Sequence, residues 1–323
     1  MGRLVSVILI TWNSAEWLRA CLGSVAAQNH EPLELIVVDN ASSDASTEIV
    51  RKVSPDASLI RNDTNRGFSA AVNRGIVQAR GEFVLLLNPD ARMEPDYVSL
   101  LVRALEDAGE RYGSATGTRF RCTGPEIEAT PLIDSRGIRM TRSGRHFDID
   151  AGKRAERPSG QPVEVFGVSG AVALHRRALL DDVAIEGEAL DEDFFTYRED
   201  ADLAWRARLF GWRALYVPEA VAYHVRRVTP AARATLSPEV NRHSVKNRFL
   251  LRLKNEGFWL ALRNAIFEIP RDVIVVAALL TVERSSFPAL TWLWSNRRRI
   301  AQRRRVIQSR RVVGDRELAR WFR

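Results

Sequence analysis

Val5-Ser6-Val7-Ile8-Leu9-Ile10-Thr11-Trp12-Asn13 is a run of β-branched and aliphatic residues that ends on polar ones. Such near-continuous hydrophobicity marks a strand buried on both faces, as in a parallel sheet covered by helices. Working outward, residues 15–27 have helical spacing behind Ser14, a candidate N-cap. Residues 34–38 read as a second strand closing on Asp39-Asn40, and Ser43 or Asp44 can cap a helix over 45–53. A short strand at 57–60, a helix from Ser69 to about Ala79, a strand at 83–87 closing on Asn88-Pro89-Asp90 and a helix from Pro95 follow. This alternation predicts a mostly parallel sheet flanked by helices.

Residues 122–162 are polar, arginine-rich and broken by Gly and Pro, and read as a loop excursion. The sheet resumes at 163–174, a helix covers 201–210, a short strand lies at 214–217, and the chain is helical and studded with arginine from Pro238 onward. With 323 residues, 46% hydrophobic and 27% charged, the chain can bury a sizeable core. Two cysteines exclude a disulfide scaffold and a four-cysteine zinc site, and fit a reducing cytoplasm. Net charge is −7 over residues 1–225 and +15 over 226–323, so an acidic body carries a basic tail suited to an anionic surface. The apolar run at 4–10 is too short for a signal segment, and Met1-Gly2-Arg3-Leu4-Val5-Ser6 matches a myristoylation pattern by chance. The uncharged stretch at 273–282 is half the roughly 20 residues a spanning helix needs.

In an open parallel sheet, ligands bind beyond the carboxyl ends of the strands. Thr11 and Asn13, Asp39, and Asp90 fall at such ends, and Asn65-Arg66-Gly67-Phe68 opens a helix. Asp39 can accept the imide N–H of a pyrimidine, and the helix start at Phe68 can offer N–H groups to a phosphate. Each residue alone reads as turn or capping chemistry. Together they read as a nucleotide site.

The opening run, the block Val38-Asp39-Asn40-Ala41-Ser42-Ser43-Asp44, Asn65-Arg66-Gly67-Phe68 and Asn88-Pro89-Asp90 resemble family 2 glycosyltransferases of the GT-A fold. So do Asp191-Glu192-Asp193-Phe194-Phe195, Tyr197-Arg198-Glu199-Asp200-Ala201-Asp202-Leu203, Gly211-Trp212, Tyr216-Val217-Pro218 and His224. The set is most similar to the rhamnosyltransferase branch and covers roughly residues 4–255. The resemblance implies a nucleotide-diphospho-sugar donor held by Thr11, Asn13, Asp39, Asn65, Gly67, Phe68 and Asn88. It implies Mg²⁺ or Mn²⁺ at Asp90, the last acid of a DxD motif whose first acid is here Asn88. His224 corresponds to a histidine that completes the metal site in some relatives; its other reading is structural. Asp200, paired with Glu199, resembles the general base of an inverting displacement. Asp191 and Glu192 would border the acceptor pocket, and Asp202 with Arg206 reads as a surface pair.

These readings divide the chain into a catalytic domain, 1–235, with a nucleotide-sugar half (1–121) and an acceptor half (122–235), and a helical, arginine-rich region, 236–323. The latter is expected to dock on the cytoplasmic face of an anionic membrane through Phe258, Trp259, Leu262, Ile266, Phe267, Trp292, Trp294 and eight arginines between Arg297 and Arg311. A chain ending near Asn255 is expected to stay soluble and bind donor. The acceptor expected is a glycan or polyprenyl-linked glycan, with dTDP-rhamnose as donor and no nucleic acid. Competing readings are a dinucleotide oxidoreductase, for which the G-x-G-x-x-G motif is missing after the first strand, a nucleic-acid binder using the basic tail, and a non-catalytic sugar-nucleotide binder.

Overall fold

A computed structural model describes residues 2–155, 158–226 and 237–323, so the expected boundary at 235/236 lies outside the described residues. The chain runs β1 (Val5–Thr11), α1 (Ala15–Ala26), β2 (Leu33–Asp39), α2 (Ser46–Val53), β3 (Ser58–Arg61), α3 (Phe68–Gln78) and β4 (Phe83–Leu87). It continues through β5 (Ala91–Met93), α4 (Tyr97–Ala108), β6 (Tyr112–Thr123), β7 (Glu128–Ser135), β8 (Ile138–Met140), β9 (His146–Asp148), β10 (Val163–Val165) and β11 (Val172–Arg176). Then come α5 (Arg177–Val183), α6 (Glu199–Leu209), β12 (Arg213–His224), α7 (Pro238–Asn255), α8 (Phe258–Thr281), α9 (Pro288–Ser295), α10 (Arg297–Ser309) and α11 (Asp315–Leu318).

The main sheet has the strand order β10-β12-β6-β11-β4-β1-β2-β3, with β5 on β12 and β7 on β6. Strands β4, β1, β2 and β3 are parallel, as the N-terminal alternation predicts. The other half is mixed: β12 runs parallel to β6, while β11 is antiparallel to both β4 and β6. β1 is buried at every position, with helices packed on both faces.

Two stretches depart from the sequence reading. Residues 122–162 hold β7, β8 and β9 rather than an irregular loop. β8 and β9 have three residues each, too few for a period to show, and β7 carries Pro131 and a buried Asp134 among its apolar positions, which obscures the alternation. Residues 163–174 are two strands, β10 and β11, separated by a turn at 166–171.

The C-terminal helices share the core of the sheet. Leu250, Leu251, Leu260, Ile300, Ile307, Leu318 and Phe322 are buried in the same cluster as Ile8, Val38, Phe166 and Trp205. A chain ending near Asn255 would lose Leu260, Ile300, Ile307, Leu318 and Phe322 from this core. Arg303 is also buried and pairs with Asp191 and Glu188. Arg299, Arg310 and Arg311 pair with Asp193, Asp182 and Asp315. Half of the eight arginines expected to face a membrane thus serve internal ion pairs; Arg297, Arg298, Arg304 and Arg305 make none among the described residues.

Candidate active site

At the carboxyl ends of β1 and β2, Thr11 and Asp39 are register partners and both are fully buried. Thr11 Oγ1 has no hydrogen-bond partner among the described residues. Asp39 accepts from the Ser42 N–H at 3.3 Å and from Arg61 Nε at 3.4 Å. The two strand-end loops are stitched into one ledge: Ser43 N–H donates to Asn13 Oδ1 at 2.8 Å, and Ala15 N–H donates to Asp44 Oδ2 at 3.0 Å. Asn40 ties the ledge to the next strand end, its Nδ2 donating to Asn65 Oδ1 at 2.8 Å while its Oδ1 accepts from Asn62 and from the Arg66 N–H. Asn65 Oδ1 also accepts the Gly67 N–H, so Asn65 shapes the turn.

The start of α3 is not open to a phosphate in the way the sequence suggested. The Phe68 and Ser69 N–H groups both donate to the carbonyl of Phe195, at 2.6 and 3.2 Å. A carbonyl oxygen therefore takes the positive end of the helix. Gly67 makes this approach possible: its φ is +83°, and a Cβ there would stand 2.5 Å from the Phe195 ring.

Asp90 follows β4, and His224 ends β12, whose antiparallel pairing with β5 sets His224 opposite Ala91. His224 Nε2 lies 3.5 Å from Asp90 Oδ1, and its Nδ1 lies 3.0 Å from Asp134 Oδ2. A carboxylate only accepts, so Nδ1 carries a proton and Nε2 is left for Asp90 or a cation beside it. This carboxylate–histidine arrangement is the usual support of a metal-bound imidazole. Burial works against the charge of Asp134, yet Arg119, His224 and Arg226 hold its carboxyl well below the usual range. No cluster of three or more candidate metal ligands occurs among the described residues. The pair fits a divalent cation that takes its remaining ligands from a diphosphate and water, as Mg²⁺ commonly does. Asp134, inside the stretch read as loop, was missed: nothing in its local sequence distinguishes it.

Glu199 and Asp200 open α6. Glu199 is buried, its Oε2 lacks a partner among the described residues, and burial with the neighbouring Asp200 charge pushes its carboxyl up to about 8. Asp200 is partly exposed and accepts from Gly170 N–H at 3.2 Å and Ala201 N–H at 2.7 Å. The 166–171 turn joins the parts of the site. Its Ala171 carbonyl accepts the Asn88 N–H at 2.8 Å, its Ser169 hydroxyl accepts from Arg119 at 3.1 Å, and a Cβ on Gly170 would stand 3.6 Å from Asp200 and 3.9 Å from Phe68. Asn88, Arg119 with its partner Asp134, and Asp200 are thus gathered by a turn that the sequence predicts as strand.

Asp191 and Glu192 precede the turn whose Phe195 carbonyl caps α3. Asp191 is 4% exposed, bound to Lys254 and Arg303, and its carboxyl is held to about 2 against burial by those two cations. It braces α7 and α10. Glu192 is half-buried and accepts from Asn73 Nδ2 at 3.1 Å. Asp202 and Arg206 form a buried pair at 2.9 Å rather than a surface one, because Lys254 and Asn255 of α7 close over Asp202 and the carbonyls of Val183 and Ala189 take the Arg206 guanidinium.

A parallel N-terminal half beside a mixed one in a single sheet flanked by helices is the architecture of the GT-A class. Residues 6–183 match glycosyl transferase family 2, and the chain belongs to that family. The N-acetylglucosaminyl-diphospho-decaprenol L-rhamnosyltransferase of Mycobacterium tuberculosis is 28% identical over 246 residues, 69% of this chain and 76% of that protein. The poly-β-1,6-N-acetyl-D-glucosamine synthase of Staphylococcus epidermidis is 26% identical over 222 residues, 68% of this chain and 49% of that protein. Among solved structures, GalNAc-T7 with UDP, GalNAc and Mn²⁺ superposes with a TM-score of 0.59 at 14% identity, over 78% of this chain and 48% of that one. The mannosyltransferase PcManGT of Pyrobaculum calidifontis, with GDP-Man and Mn²⁺, gives 0.54 at 19% identity over 96% of this chain and 84% of that one. Those two likenesses concern the fold.

Proposed function

We propose that this glycosyltransferase moves a sugar, rhamnose from dTDP-rhamnose, onto a hydroxyl of a lipid-linked glycan, with inversion and with help from a divalent cation, in the synthesis of a bacterial cell-surface polysaccharide. The observation that carries the reading is the Asp90–His224–Asp134 relay facing the strand ends, with Asp200 fixed by the same turn that holds Asn88. The rhamnosyl and lipid-linked parts rest on the mycobacterial relative, whose name carries both. Thr11, Asn13, Asp39 and the ledge around them hold the nucleoside. A cation held by Asp90 and His224 would offset the charge of the departing nucleoside diphosphate. Asp200 takes the proton of the acceptor hydroxyl as that oxygen attacks the anomeric carbon. Glu199, protonated near neutral pH, leaves the negative charge of the pair on Asp200.

Attachment to an anionic membrane surface belongs to the same reading. No helix among the described residues is long and apolar enough to cross a membrane. α8, however, turns an apolar face outward. Leu260, Asn264, Glu268 and Leu279 are buried, whereas Phe258, Trp259, Leu262, Ile266, Val273 and Ile274 are 59–71% exposed. An outward apolar face near arginines suits an interfacial helix.

The test is nucleoside diphosphate release with a panel of sugar nucleotides, with and without chelator. One donor should be consumed, activity should vanish in chelator and return with Mg²⁺ or Mn²⁺, and Asp200→Asn should lower kcat by about 10²–10⁴-fold with nucleotide affinity nearly intact. Near-normal turnover of Asp200→Asn would remove it as the base, and full activity in chelator would remove the cation.

A further inference from the structure

The β8–β9 hairpin lies between the candidate catalytic opening and α8. Its second strand touches the site: His146, in the pair that closes the turn, has its Nδ1 3.2 Å from Arg198 Nη1, two residues before Asp200, and Asp148 at the root pairs with Arg226 and Arg119. Its tip lies on α7 and α8. Arg142 stands over the Phe267 ring at 4.2 Å and donates to the Arg263 carbonyl at 3.4 Å. Gly144, at φ +67°, sits so close that an added Cβ would come within 2.4 Å of Arg252 Cδ.

Charge does not balance at this seam. Arg248 and Arg252 are matched by Asp272 and Glu268. Arg142, Arg145 and Arg271 make no ion pair among the described residues, and the Nε groups of Arg142 and Arg271 are buried with no acceptor there. Burial, then the nearby Arg271 and Arg248 charges, hold the Arg145 guanidinium below its usual range. Three surplus guanidiniums, each only partly exposed, lie beside an exposed apolar helix face. Like charges gathered in this way call for an anion, and guanidinium forks bind phosphate oxygens in pairs.

We infer that the seam between the hairpin tip and α8 is the subsite for the diphosphate of a prenyl-diphosphate-linked acceptor. Arg142, Arg145 and Arg271 take the phosphate oxygens, and the chain lies along the outward face through Phe267 and Ile266. A diphosphate diester carries two negative charges, which three surplus cations accommodate. The hairpin then places the sugar end of the acceptor toward Asp200, on the side where Arg198 meets His146. This deepens the transferase reading and rests on it, and it adds an acceptor subsite distinct from the strand-end donor site.

The experiment measures binding without turnover, so it is separable from the transferase assay. Farnesyl diphosphate in zwitterionic detergent is titrated into the full chain by calorimetry, with farnesol, dTDP and flotation on phosphatidylglycerol vesicles as parallel arms. The wild type should bind farnesyl diphosphate at least about tenfold more tightly than farnesol. Arg145→Gln/Arg271→Gln should lose at least about tenfold of that affinity, the loss expected for charge-assisted contacts, while dTDP binding and flotation hold. Arg145→Lys should lose less, since charge remains but the fork does not. Unchanged dTDP binding shows that the variant is folded; if the double variant fails that control, Arg142→Gln carries the same comparison. Equal affinity of wild type and variant for farnesyl diphosphate overturns the proposal. So does a parallel loss of phosphatidylglycerol flotation, which would make the cluster a general headgroup contact.

Discussion

Glu199 and Asp200 are adjacent carboxylates at one helix start, yet their surroundings pull them apart. Asp200 is open to the site and accepts two backbone N–H groups, while Glu199 is buried beside it with one oxygen unpaired. From its ordinary value of 4.5 the Glu199 carboxyl is raised to about 8, by burial first and the Asp200 charge second. Over that window the folded chain keeps a proton that the unfolded chain has released. Because the folded state binds more protons there, stability falls as pH rises from about 4.5 to 8. Glu199→Gln keeps the shape and has no proton to lose. Its stability relative to wild type should therefore increase between pH 5 and pH 8, the window over which the wild type alone loses the stabilisation of its bound proton. Urea unfolding at several pH values checks this; a difference that does not change with pH would mean that Glu199 is ionised in the folded protein.

At the scale of elements, the turn before α6 decides where Asp200 sits. Phe195, Tyr197 and Arg198 all have positive φ, between 65° and 71°, a costly conformation for residues with side chains. Asn247 of α7, fully buried, pays that cost back: its Nδ2 lies 2.8–2.9 Å from the carbonyls of Phe194, Thr196 and Tyr197. The Phe195 carbonyl in turn caps α3, and the Phe195 ring stacks on His243 at 4.8 Å. Asn247→Leu keeps the volume and strands these carbonyls. It should destabilise the chain by about 2–4 kcal/mol, since a buried unsatisfied group costs about 1–3 kcal/mol and several are involved. It should lower kcat more than it raises the donor KM, because the turn carries the base and the strand ends carry the nucleoside. A kcat equal to wild type in the folded variant would separate α7 from catalysis.

For the whole molecule, α7 to α11 close the core of the sheet and also present apolar surface outward. Ending the chain at Asn255 would expose Leu250 and Leu251, remove Ile300, Ile307 and Phe322 from the shared core, and leave Asp191 without Arg303. Breaking one buried ion pair costs about 3–5 kcal/mol and each lost large apolar side chain about 2–5 kcal/mol. Against a total stability of about 5–15 kcal/mol, the shortened chain should not fold. Limited proteolysis and circular dichroism check this, and a cooperative, dTDP-binding product would contradict it. The full chain should float with anionic liposomes, and less at high salt, through the apolar face of α8 and Arg297, Arg298, Arg304 and Arg305 of α10, which make no ion pair among the described residues. If only a second copy covers α8, the full chain will be a dimer that ignores liposomes.

The sequence by itself determined what depends on local pattern. Strands β1 to β4 and the helices between them follow from apolar runs and breakers, and the strand-end positions of Thr11, Asp39 and Asp90 follow with them. The Glu199-Asp200 start of α6 was legible through motif order. Contacts between distant segments were not. Asp134 reaches His224 across 90 residues, Gly170 holds Asp200 across 30, and Arg303 meets Asp191 across 112. No hydrophobic period encodes such pairings, because polar partners are chosen by where the backbone puts them after the sheet has formed. For the same reason the tail could be read as basic and amphipathic, while which arginines are spent inside and which α8 face points outward was decided only when α7 and α10 packed against the catalytic half.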